Sequence, residues 1–176
     1  MPTMIRWVAL SYRLPREPTR PRLAVWRRLK RLGSVLFHNA IWLLPEDGAT
    51  REAFEWLLEE IEEQGGTGLV WQAMSLSEDQ DQVLVTQFRA EADERYTALA
   101  RSAEVLLQQV SSRPRPGRAR LHRVRRQLAG LERAMRLERR RDYFRTPGRK
   151  TAETALATLA ESLDQRLQSL AQQGAA

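Results

Sequence analysis

Apolar positions along this chain follow two different periods, and the change from one to the other divides it near residue 76. Before that point, short runs rich in β-branched and aromatic residues alternate with amphipathic stretches. Ile5 to Tyr12, IRWVALSY, predicts a buried strand closed by Leu14-Pro15. Thr19 and Pro21 then suit the cap and first turn of a helix over about residues 20–32. Its apolar stripe is Leu23, Trp26, Leu29 or Lys30, and Leu32, and Gly33 stands where a left-handed C-cap is wanted. Ser34 to Phe37 and Ala40 to Leu44 predict a hairpin turning at His38-Asn39. A second helix, Arg51 to Gln64, with Thr50 as its cap and no full capping box, carries Phe54, Leu57, Leu58 and Ile61 at helical spacing. Thr67 to Met74 predicts a last, half-buried strand.

The order β-α-β-β-α-β in about 70 residues is that of a ferredoxin-like sheet domain, assigned to residues 1–76. Both helices then lie on one face of the sheet. Trp7, Trp42 and Trp71 each lie on a strand, so the other face needs a cover, either a partner sheet or the chain's own later helices. From residue 77 the period is helical throughout. Ser77 to Gln80 is a capping box opening a helix over 77–110, in which Leu84, Phe88, Ala92, Leu99, Ala103, Leu106 and Val110 form a seam. After the reversal SSRPRPG come a basic helix over 119–141 and a C-terminal helix over 151–172, and short loops predict an antiparallel bundle of three. The fold class is therefore α+β.

Charge changes the picture of the second half. Net charge is +7, but residues 1–112 carry 13 basic and 16 acidic groups, whereas residues 113–150 carry 15 and 3. A local excess of this kind suits a polyanion, most often nucleic acid, because each neutralised phosphate releases condensed counterions. The opposing reading is a solvated arginine-rich helix paired with acidic neighbours. Cysteine is absent, which excludes disulfides, thiolate metal sites and cysteine nucleophiles. Two histidines, His38 and His122, do not make a histidine metal site. No apolar run approaches the length of a membrane span, and the N-terminal residues show no signal-peptide pattern, so a cytoplasmic protein is expected.

The residues LSYRLPREPTRPRLAVWRRLKRLGSVLFHNAIWLLPED, the following TREAFEWLLEEIEEQGG and the later RDYFRTPG resemble the N-terminal domain of the ChrB family of bacterial chromate-resistance proteins. The first part also resembles the central domain of PaaX-type repressors and, more remotely, Cas2-like folds. The resemblance implies a chromate-responsive transcriptional regulator working beside a chromate efflux transporter. Larger members of that family continue into a C-terminal domain linked to chromate sensing, and the sequence to Ala176 carries none.

For DNA contact the candidates are Arg118, Arg120, Arg123, Arg125, Arg126, Arg136, Arg139 and Arg140, since guanidinium groups bind phosphate bidentately. Arg22, Arg27, Arg28 and Arg31 are a second cluster, either an oxyanion site for a group such as chromate or a solvated face opposite Glu55, Glu59 and Glu62. No catalytic constellation and no cofactor motif is found, and the chain is read as a non-enzyme. Two rival functions remain: a protein-interaction or homodimerisation module, and a Cas2-like nuclease holding a divalent ion on Glu46 and Asp47.

Overall fold

The computed structural model describes residues 4–38, 41–112 and 117–173. Its elements run β1 Arg6–Arg13, α1 Thr19–Leu32, β2 Val35–Phe37, β3 Ile41–Pro45, α2 Gly48–Glu63, β4 Thr67–Met74, α3 Glu78–Ser111, α4 Arg118–Arg141 and α5 Gly148–Gln173. The chain forms two compact units, Met1–Glu91 and Ala92–Ala176, with α3 continuing from one into the other. Asn39 of the expected hairpin turn and the RPRP of the expected reversal lie outside the described residues.

In the first unit the four strands form one antiparallel sheet of order β2-β3-β1-β4. Strand registers pair Leu10 with Trp42 and Val70, and Tyr12 with Gly68, so these residues share one face. Trp7, Ala9, Leu43 and Trp71 share the other. Trp7 and Trp42 therefore lie on opposite faces, a separation that follows from the odd, three-residue offset between them, since Trp7 pairs with Pro45 and Trp42 with Leu10.

Helices α1 and α2 cover the face of Leu10. The burial of α1 keeps Leu29 of its expected stripe and otherwise departs from it: Leu29 and Val25 are fully buried, whereas Leu23 and Trp26 are 43% and 47% exposed. An arginine-rich helix offers two apolar stripes at helical spacing, and the one with β-branched Val25 meets the sheet. Thr19 is the first helical residue, behind an N-cap at Pro18 that makes no side-chain bond. Gly33 takes φ 74° and its N–H closes the last turn on the Lys30 carbonyl, a conformation that costs glycine nothing.

The N-cap of α2 is Asp47 rather than Thr50. The Thr50 amide donates to Asp47 Oδ1 at 2.7 Å and the Asp47 amide donates to Thr50 Oγ1 at 2.9 Å, a complete reciprocal box that a Ser/Thr-first template overlooks. Phe54, Leu57 and Ile61 of this helix are fully buried. Close approach to β1 and β4 is possible at Gly68, where an added Cβ would stand 2.7 Å from the Ser11 carbonyl oxygen and 2.9 Å from Leu58 Cδ1.

The opposite face is covered in part by the first turns of α3. Phe88 stacks on Trp7 at 5.7 Å between ring centroids, and Leu84 and Val85 are buried beside it. Asp81 anchors the same turns: Trp7 Nε1 donates to its Oδ1 at 2.8 Å and the Ile5 amide to its Oδ2 at 2.9 Å. This cover stops short of β4, which was expected to be half buried and is mostly exposed.

The second unit has one apolar cluster drawn from three helices: Tyr96, Ala103 and Val110 of α3, Leu121 and Val124 of α4, and Ala152, Leu159 and Leu163 of α5 are among its most buried members. The a/d spacing seen in sequence is the spacing that is buried.

Candidate nucleic-acid interface

On α4 the buried positions Leu121, Val124, Leu128, Met135 and Glu138 fall on one stripe, which fixes where the arginines point. Arg118, Arg123, Arg125, Arg126, Arg136, Arg139 and Arg140 are exposed, and Arg120 is partly buried at the edge of the stripe. Arg126, Arg133 and Arg140 repeat every seven residues on the side away from the core. Arg133, absent from the sequence-level candidates, thus belongs to the outward row, and its spacing from Arg126 and Arg140 was the signal. At about 1.5 Å per residue this row is about 21 Å long.

The two ends of α4 differ electrostatically. In its last turn Arg139 is paired with Glu153 at 2.7 Å and Arg141 with Glu138, and cations there suit the negative end of the helix dipole. The first turn holds no acid, and Arg118 and Arg120 sit at the dipole's positive end. Among the described residues, Arg118, Arg123, Arg125, Arg126, Arg133, Arg136 and Arg140 make no ion pair. Of the candidate arginines, Arg139 is therefore engaged in the fold, Arg120 is partly buried, and the others form a free row with Arg133.

Arg139 belongs, with Arg95 and Arg141, to the junction between α4 and α5. Buried Glu138 accepts from Arg95 Nε and Arg141 Nε, each at 2.8 Å. Asp142 accepts from the Tyr96 hydroxyl at 3.2 Å, from the Thr146 amide at 3.0 Å and from the Thr146 hydroxyl at 3.1 Å. Burial, with the Asp142 charge added to it, raises the Tyr96 phenol well above its usual range. Donation from Arg149, with help from Arg139, holds the Glu153 carboxyl below its ordinary value against its own desolvation. RDYFRTPG is thus a folded connection in which Asp142 is tied to Thr146 and Tyr96, and Arg141 to Glu138.

The arginines of α1 do not converge. Arg22 lines a cleft of about 1840 Å³ with Tyr12, Arg16, Trp26 and Trp42. Arg28 pairs with Glu60 at 2.8 Å, a different acid from those expected, and Arg27 and Arg31 are exposed elsewhere on the helix. Burial raises the Tyr12 phenol, and the charge of Arg22 partly opposes that rise.

Glu46 and Asp47 have structural work. Asp47 is the α2 cap, and Glu46 is enclosed between Arg6, 3.5 Å away, and the Gln72 amide that donates to it. Among the described residues no three histidine or acidic side chains form a cluster able to hold a metal ion, and no helix is long and apolar enough to cross a membrane.

A family model described as "Protein ChrB, N-terminal" matches residues 22–172. No curated protein and no solved structure matches the chain.

Proposed function

The chain belongs to the ChrB family, a membership that suggests a part in chromate resistance, and from that premise we propose that it is a regulatory component of the chromate response that binds DNA through α4. The observation that supports this reading most is the free arginine row. Arg118 and Arg120 at the helix N-terminus oppose the dipole, a local cost of about 0.3–1 kcal/mol each. Arrangements that work against stability mark functional positions. A phosphate backbone reverses the sign of that cost, and guanidinium forks suit its oxygens.

In this reading Arg118, Arg123, Arg125, Arg126, Arg133, Arg136 and Arg140 contact phosphate, whereas Arg139 and Arg141 hold α4 to its neighbours. The first unit, ordered as a ferredoxin-like domain, and the three helices that follow, arranged as a bundle, are the frame. Chromate acts as effector either on this chain, with Arg22 and the cleft as the site, or through another component.

Fluorescence anisotropy with duplex DNA from the gene's own upstream region tests it. Affinity is expected to fall steeply with salt, and replacing Arg123, Arg125 and Arg126 by alanine is expected to flatten the log–log salt slope by up to about 3. Absent binding, or binding indifferent to salt, rejects the reading. Repeating the titration with chromate tests the effector role.

A further inference from the structure

We propose that the free edge of β4 is the interface between two copies of this chain, paired antiparallel about a two-fold axis into one continuous sheet. The sheet has two edges. β2 is three residues long and offers little to pair with, whereas β4 is eight residues long and has β1 on one side only. Edge strands in soluble proteins are ordinarily blunted by charge, proline or brevity. TGLVWQAM has none of these.

Its side chains add a second argument. Leu69, Trp71 and Met74 are 67%, 48% and 60% exposed, and Leu69 and Trp71 flank the part of the sheet that α3 leaves open. An antiparallel pair about a two-fold sets the edge against itself, so any charge on it would meet its own copy or a near neighbour. With no charge over eight residues, that repulsion is absent. The edge is therefore complementary to itself as it stands.

Geometry also selects the closed arrangement. A head-to-tail contact would have to match eight residues of β4 against three of β2 and would leave open ends, while β4 with β4 consumes the long edge of both copies. Pairing the two long edges buries the exposed Leu69 and Trp71 side chains of both copies beside eight residues of backbone, and a specific interface of this kind has to reach about 1,000 Å². No α4 arginine takes part, so this inference stands apart from the DNA reading.

The absence of cysteine supplies a clean test. Single Leu69→Cys, Val70→Cys, Trp71→Cys and Gln72→Cys variants of the full chain are oxidised and separated by mass, with Leu137→Cys on α4 as the control. Self-cross-linking is expected to peak at one position within β4, because only residues near the two-fold bring their Cα atoms within about 7 Å. In sedimentation velocity the parent is expected as a dimer at tens of micromolar, and Trp71→Lys is expected to weaken it at least tenfold with its far-UV spectrum unchanged. A parent that sediments as a monomer overturns the proposal. So does a dimer that forms no cross-link along β4, which also covers the case in which Trp71→Lys fails to fold.

Discussion

The indole N–H of Trp7 donates to Asp81 Oδ1 at 2.8 Å across 74 residues of sequence, tying the first strand to the first turns of α3. The Ile5 amide shares the carboxylate. Burial pushes the Asp81 carboxyl up, but the Ile5, Trp7 and Ser75 donors outweigh it and hold the pKa below its ordinary value. Asp81→Ala leaves the buried Trp7 indole and the partly buried Ile5 amide without this acceptor and is expected to cost about 1–3 kcal/mol in urea unfolding.

The same carboxylate sets an acid response. A group whose folded pKa is depressed contributes stability above its unfolded pKa, about 3.9 for aspartate, and loses it as pH falls through the folded value. Melting temperature is therefore expected to drop below about pH 4. Asp81→Asn, which does not titrate, is expected to remove Asp81's share of that drop, as read by calorimetry at matched ionic strength.

Gly68, the one glycine within the four strands, is expected to resist replacement. A methyl group there meets the Ser11 carbonyl oxygen at 2.7 Å, and backbone gives way less readily than a side-chain tip. Gly68→Ala is expected to cost about 1–3 kcal/mol by overpacking. Gly117→Ala, with nothing within 4 Å of the new atom, is the contrasting case.

The second unit leans on Leu159, which is fully buried among α3, α4 and α5 residues. Leu159→Ala is expected to cost about 2–5 kcal/mol by chemical denaturation. At the junction, Tyr96→Phe removes one hydrogen bond to Asp142 but leaves the two from Thr146, so its expected cost is about 1 kcal/mol.

How much of this was legible in sequence depended on whether a signal was local. Gly33, the seven-residue seam of α3 and the strand Thr67–Met74 were legible because caps, heptads and alternation are written in neighbouring residues. The α1 stripe was right at Leu29 and misplaced at Leu23 and Trp26, which have the right spacing yet open onto a cleft, and only the position of the sheet selects Val25. The Asp47 cap was missed because Thr50 also fits a cap. Ion pairs such as Arg139 with Glu153, or Arg95 with Glu138, join different helices, and no local pattern reveals them. For that reason the division of the α4 arginines into free and engaged groups needed the fold.

The cations that crowd the first turn of α4 have a kinetic corollary. At the start of α4 the Arg120 and Leu121 amides close on the Gly117 carbonyl, which leaves those of Arg118 and Ala119 with no carbonyl partner within the helix, beside positive side chains and no acid. An anion seated there would slow amide exchange at Arg118 and Ala119 far more than in the last turn, where Glu138 and Glu153 already hold their arginines.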